Sequence, residues 1–190
     1  MKYFAGLLLL FFSFTANAGD FSQDALISRF FAGTQKISLD FRQIKAVPDI
    51  EKIFQSTGFF QFVKDKGFII KQEKFPKFVS TTERFCFGDK NEELKKLPYF
   101  SDIKQLFDDL LVGNMENLNE IFDVAYSETK NLWQMTLTPT QKDMKNFISK
   151  IHLTGTIKQI KTLSIEYTDK TKINVNFSIS DKDLINEIEC

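Results

Sequence analysis

The sequence predicts an α+β domain: one large meandering antiparallel sheet, with helices in two separate places along the chain. Three observations predict it. Apolar and polar residues alternate with period two in eight or more short segments, the pattern of strands with one buried face. Turn-forming stretches such as Lys64-Asp65-Lys66-Gly67 and Asp169-Lys170 separate them. Helical periodicity is confined to residues 22–33 and to a mid-chain region. A sheet of that size curls, and helices packed inside the curl leave apolar surface on both of its faces.

The opening MKYFAGLLLLFFSFTANAGD has an early lysine, an apolar run from about Phe4 to Phe14 and a small-x-small site at Ala16-Asn17-Ala18. This is the layout of a secretory signal peptide over 1–18, cleaved after Ala18, followed by one exported domain over 19–190. The apolar run is short of the roughly 20 residues that span a bilayer. No cysteine stands at the cleavage point, so a lipid-anchored form is not indicated.

Ser22 is an N-cap for a first helix carrying Leu26, Ile27, Phe30 and Phe31, with Gly33 as its stop. ISLDFRQIKAV (37–47) then reads as a strand with Ile37, Leu39 and Phe41 on one face. GFFQFVKDKGFII (58–70) reads as a hairpin. Its adjacent Phe59-Phe60 and Phe68-Ile69-Ile70 send apolar groups to both faces. FVSTTERFCFG (78–88) reads as one further strand, and DKNEELKKLP as a polar connector. SDIKQLFDDLLVG predicts a second helix with an apolar stripe, and NMENLNEIF a short third one. The alternation returns in LWQMTLTP, where Trp133, Met135 and Leu137 share a face. It continues through KIHLTG, TLSIEYT and KINVNFSIS, the last with Ile173, Val175, Phe177 and Ile179 together.

Charge excludes some functions. Lys+Arg and Asp+Glu both number 25, which argues against a general nucleic-acid or anionic-membrane binder. The balance is uneven. Residues 101–128 hold seven acids against Lys104 alone, whereas 140–175 hold seven lysines against Asp143, Glu166 and Asp169. Two solvated faces of opposite sign, or a surface that steers a partner, would each produce this. Phenylalanine is abundant, 22 in all with four in the first 18 residues; it brings apolar area without a polar handle.

Catalysis has little to work with. His152 is the single histidine and falls in a strand, so neither a His-rich metal site nor a serine triad assembles. The pair Asp108-Asp109 is expected on the solvated side of the second helix. There is no P-loop and no GxGxxG. Cys86 and Cys190 form a disulfide in an oxidising compartment, or stay as a buried thiol and a frayed terminal one. The expectation is a protein with no catalytic residues, no metal and no cofactor.

Taken in order, FRQIK (Phe41-x-Gln43), STGFFQFVKDKGFII, Lys74-Phe75-Pro76, LLVGNMENLNEIFDV and Trp133-x-Met135-x-Leu137-x-Pro139 resemble the periplasmic outer-membrane lipoprotein carriers, the LolA family and its relatives. The resemblance spans nearly all of residues 19–190. It implies an incomplete, eleven-stranded antiparallel β-barrel with a helical lid over a hydrophobic cavity that receives acyl chains. Two features differ. Lys64-Asp65 stands where the classical carrier has Arg-Pro, so Lys64 offers a latch for the lid without the guanidinium's fixed fork of donors. Ile70 stands where a tryptophan is expected. GNMENLNEIF followed by W-x-M-x-L-x-P resembles the divergent LolA-related branch, whose members accompany RND-type (MMPL-like) exporters and whose cargo includes glycolipid or polyene lipid.

On that resemblance the cavity is assigned to alternating positions of neighbouring strands: Leu39, Phe41, Phe60, Phe62, Phe68, Ile70, Met135 and Leu137. The lid is assigned to Ile103, Leu106, Phe107 and Leu110, which compete with cargo for the same surface. The implied partners are acylated lipoprotein or lipid cargo, an inner-membrane release or export complex and an outer-membrane acceptor, met by a periplasmic monomer. Two other classes stay open: a lipid or lipoprotein sensor that transports nothing, and a lipid-processing enzyme using Cys86 or His152.

Overall fold

The computed structural model describes residues 35–73, 77–81, 85–87, 92–93, 109, 115–130, 132–156 and 158–188. The 1–18 signal segment, the 22–33 helix, Lys74-Phe75-Pro76, the lid residues Ile103, Leu106, Phe107 and Leu110, and Cys190 lie outside the described residues.

Eleven strands form one sheet: β1 (Lys36–Val47), β2 (Lys52–Val63), β3 (Gly67–Gln72), β4 (Phe78–Thr81), β5 (Phe85–Phe87), β6 (Glu92–Glu93), β7 (Phe122–Thr129), β8 (Leu132–Pro139), β9 (Ile148–Thr156), β10 (Gln159–Tyr167) and β11 (Lys172–Ile179). Their order is β6-β5-β4-β3-β2-β1-β11-β10-β9-β8-β7. All neighbours are antiparallel, and β6 and β7 are the two edges, so the curved sheet does not close. Two helices are described, α1 (Met115–Ile121) and α2 (Lys142–Lys145). None among the described residues is long and apolar enough to cross a membrane.

The turns explain the path. After β2 the chain reverses over three residues, with Lys66 N–H donating to Val63 (3.1 Å) and Asp65 in the left-handed region. Gly67, at φ 116°, closes this turn against β4, where a Cβ would strike the Ser80 carbonyl. Between β10 and β11 the Asp169 carboxylate accepts the Thr171 N–H at 2.8 Å, and Lys170 takes the left-handed conformation. Thr140 caps the end of α1: its hydroxyl donates to the carbonyls of Ile121 (2.8 Å) and Glu120 (3.2 Å).

Three expectations are corrected. FVSTTERFCFG is not one strand but two, β4 and β5, paired to each other through Phe78–Phe87, Val79–Cys86 and Ser80–Phe85. The direction changes between Thr81, the end of β4, and Phe85, the start of β5. The connector DKNEELKKLP contributes β6 to that edge. Asp109 is buried rather than solvated, and Asn117 Nδ2 donates to its Oδ1 at 3.1 Å. β7 and α2 were not foreseen.

Candidate functional site

Strand registers sort the sheet into two faces, because directly paired residues point the same way. On the inner face one row runs Leu39–Phe60–Ile70–Phe78, and beside it lies Ile37–Phe62–Phe68. Across the centre, Phe41 pairs with Phe177. In the other half the rows are Ile173–Ile165–Ile151–Leu137–Val124 and Val175–Leu163–Leu153–Met135–Tyr126. The face is therefore mostly apolar from β4 to β7, with Ser80 opposite Phe68 and Gln43 and Ser56 in line with Val175. Its aromatic rings touch in sequence: Phe60–Phe68 at 6.0 Å, Phe68–Phe78 at 5.8 Å and, near the centre, Phe41–Phe177 edge-on at 6.4 Å.

All eight residues assigned to the cavity point to this face. Leu39, Phe41, Phe60, Phe62, Phe68, Met135 and Leu137 are buried members of one cluster, and half-buried Ile70 packs against it. α1 adds Leu118 and Ile121 to the same cluster, and α2 adds Met144. The sequence reading missed its share from β9 and β10, namely Ile151, Leu153, Leu163 and Ile165. Alternation in KIHLTG and TLSIEYT carried that signal, but which strand they join is a matter of register.

Two glycines let aromatic rings lie flat on the inner face. Phe41 covers its cross-strand partner Gly58, and Trp133 covers Gly155; a Cβ at either glycine would run into the ring. The Trp133 indole N–H is satisfied by the Thr156 carbonyl at 2.9 Å, so the ring is buried without a stranded donor.

The outer face is divided. Over β11 to β7 it is polar, with Asn174, Asn176, Thr162, Ser164, His152 and Thr136 in paired rows. His152 Nδ1 lies 3.0 Å from Thr136 Oγ1. Over β2 to β5 it is apolar, along the row Gln61–Ile69–Val79–Cys86 with Phe59 and Val63 beside it. Residues 180–188 cross this half as a strap. Leu184, Ile185 and Ile188 pack on Val63, Ile69 and Val79. Gln61, fully buried, fastens the strap: its Nε2 donates to Asp183 Oδ1 (3.1 Å) and Ser38 Oγ (2.9 Å), and its Oε1 accepts the Leu184 N–H (2.8 Å). Ion pairs Lys36–Asp183 (2.7 Å), Lys182–Asp40 (2.7 Å) and Lys71–Glu187 rim it. The doubled phenylalanines thus serve two surfaces, Phe60 and Phe68 inward, Phe59 and Ile69 under the strap.

Electrostatics follow those pairs. Lys182, with Ser180, holds the Asp40 carboxyl below the ordinary carboxylate range, and Lys36, with the Ile185 N–H and Gln61, does the same for Asp183. Burial pushes the Tyr167 hydroxyl up. Cys86, at the end of the strapped row, is disulfide-bonded; the chain's other cysteine is Cys190. Lys64 is half-buried at the β2–β3 turn, where its backbone N–H donates to Gln35 at 2.9 Å; the lid it would latch lies outside the described residues. A groove of about 760 Å³ runs beside the strap, lined by Asp40, Phe59, Lys71, Lys182 and Leu184, and Phe41 is its one member from the assigned cavity. Among the described residues no group of His, Cys, Asp and Glu is arranged to hold a metal.

No protein-family model matches the sequence, and no curated protein matches it either. Solved structures that resemble the chain path include the following two. A LolA superfamily protein from Nitrosomonas europaea shares 8% identity at TM-score 0.47, over 87% of this chain and 94% of that one. A chain of the MucA/MucB complex of Pseudomonas aeruginosa shares 12% identity at TM-score 0.48, over 88% of this chain. The chain spans 60% of the length of that second structure's chain.

Proposed function

We propose that the protein is an exported, periplasmic carrier that shields the acyl chains of lipoproteins or related lipids and shuttles them from inner to outer membrane. The observation that carries this reading is the inner face: mostly apolar from β4 to β7 on a sheet that does not close. Eight strand spacings of about 4.8 Å make that face roughly 38 Å wide, and the described helices, about 10 and 6 Å long, add only a few side chains to it. Phe, Leu, Ile and Met make no directional demand on a ligand, which suits acyl chains of varied length. Each methylene withdrawn from water is worth about 0.8 kcal/mol, so cargo must displace something that fills the same surface. The stripe of Ile103, Leu106, Phe107 and Leu110 is that competitor, with Lys64 as its latch. The resemblance of the sequence to the LolA-related branch makes glycolipid or polyene lipid, delivered with an RND-type exporter, the variant cargo.

The test is binding of a fluorescent acyl probe to delipidated protein. Phe60→Asp and Phe68→Asp, checked for folding by circular dichroism, abolish binding on this reading. Phe59→Asp, one residue away on the outer face, serves as the control for a general loss of structure. Unchanged binding in folded Phe60→Asp and Phe68→Asp would overturn the assignment of the inner face.

A further inference from the structure

Polar groups interrupt the inner face at two places. One is Ser80, opposite Phe68 in β4. Its hydroxyl is fully buried and has no hydrogen-bond partner, so a ligand reaches it only after something moves. The other place is open. Gln43 on β1 pairs with Ser56 on β2 and with Val175 on β11, and Gln72 on β3 pairs with Gly58. Gly58 is also the partner of Phe41, so the two amides and the hydroxyl border the Phe41 ring. All three side chains are half-buried. Along the strands the two places stand about 20 Å apart, from Ser56 to Phe62 on β2.

The open cluster has hydrogen-bonding capacity to spare. Gln72 Nε2 donates to Ser56 Oγ at 3.0 Å, which leaves the Ser56 O–H and the Gln72 carbonyl oxygen to face the cavity. Among the described residues nothing hydrogen-bonds the Gln43 amide. Water serves these groups while the face is empty. Hydrocarbon laid over them would take that water away and strand the amides, whereas a carbonyl oxygen accepts what Gln43 and Ser56 donate.

The rows on either side give the face a direction. Toward the β2–β3 turn they are Phe41–Phe177 and then Leu39–Phe60–Ile70–Phe78. Toward the β1–β2 turn the next row carries Lys45 between Phe54 and Ile173. Exposed Asp49, Glu51 and Lys52 follow at the turn itself, a mixture that favours neither sign of headgroup. A ligand lying along β1 therefore meets apolar, then hydrogen-bonding, then charged surface. An acyl lipid has the same order: chain, carbonyl linkage, headgroup.

We propose that Gln43, Ser56 and Gln72 seat the ester or amide carbonyls that join the cargo's acyl chains to its headgroup. The chains then lie over Phe41, Leu39 and Phe60, and the headgroup points to the β1–β2 turn. The proposal rests on the carrier reading and deepens it: the cargo is an acyl lipid held in one orientation, selected against bare hydrocarbon by the amides that hydrocarbon would leave unpaired.

Two ligands with the same chain length and the same headgroup test it. Monopalmitoylglycerol has the ester carbonyl, and hexadecylglycerol ether lacks it. Each is used to displace the fluorescent acyl probe from delipidated protein. Wild type binds the ester about fivefold more tightly than the ether, the worth of one net hydrogen bond. Gln43→Leu, checked for folding by circular dichroism, removes that difference. Gln55→Leu, an amide on the outer face, keeps it. Equal affinity of the wild type for the two ligands, a comparison that needs no variant, overturns the proposal. So does an undiminished preference in folded Gln43→Leu, or the same loss in Gln55→Leu. Absence of any probe or ligand binding would overturn the carrier reading and this proposal with it, whereas equal binding of ester and ether leaves carriage standing.

Discussion

Removal of the Gln61 side chain separates the strap from the sheet without touching the inner face. Gln61 is fully buried and makes three side-chain hydrogen bonds, two to the strap and one to Ser38. At about 1 kcal/mol net for each bond, the gross loss is about 3 kcal/mol. Water returns part of it, because Asp183 is exposed and is rehydrated where it stands. Gln61→Ala is therefore expected to cost about 2 kcal/mol, and more if Leu184, Ile185 and Ile188 lift from Val63, Ile69 and Val79. Urea denaturation gives the global figure, and hydrogen exchange read by mass spectrometry gives the local one. The peptide covering 181–188 should lose protection while β8 and β9 keep theirs. Gln55→Ala is the matched control: that amide also accepts a hydrogen bond, from Arg42 at 2.8 Å, but on an exposed surface, so its cost should stay within about 0.5 kcal/mol. A loss no larger than the control's, with the strap still protected, would refute Gln61 as the fastening.

Gly58→Ala and Gly155→Ala should each destabilise by about 1–3 kcal/mol, since the new methyl meets the Lys71 carbonyl and the Phe41 ring in the first and the Trp133 ring and the Gln159 carbonyl in the second; thermal melts measure it, and Trp133 fluorescence should shift in the second alone. Acidification should loosen the strap before the whole domain unfolds. Asp40 and Asp183 have lowered pKa values in the fold, so their stabilisation is present above the ordinary carboxylate value of about 4 and is lost as pH falls through the folded value; exchange of the 181–188 peptide against pH reads this directly, and a flat profile down to global unfolding would contradict it. Cys86→Ser should lower stability by about 2–4 kcal/mol if the bond closes the long loop to Cys190, and a thiol assay of the denatured, unreduced wild type should find no free cysteine.

Much of the inner face was legible because alternation reports which residues share a face. Leu39 with Phe41, and Met135 with Leu137, were placed together on that basis, and the family resemblance put Phe60 with Phe62 beside them. Register was not legible, so the meeting of β1 with β11, and of Phe41 with Gly58 and Phe177, comes only from the structure. β7 carried a readable pattern in Phe122, Val124 and Tyr126, yet α1 runs into it at Ile121–Phe122 with no turn residue to mark the change. The threonines of 78–88 hid the reversal between β4 and β5, since β-branched residues prolong a strand pattern. The strap was invisible for a different reason. SISDKDLINEIE has neither period, and its role depends on Gln61, more than 100 residues away, whose burial a polar residue in a strand does not announce.

The central claim is carriage, and transfer measures it most directly. Donor vesicles holding a self-quenched fluorescent acyl lipid are mixed with unlabelled acceptor vesicles, and dequenching is followed as protein is added. A carrier raises the transfer rate in proportion to its concentration, and folded Phe68→Asp removes the increase while Phe59→Asp retains more of it. A transfer rate that stays at the spontaneous level at every concentration of delipidated wild-type protein would contradict the account.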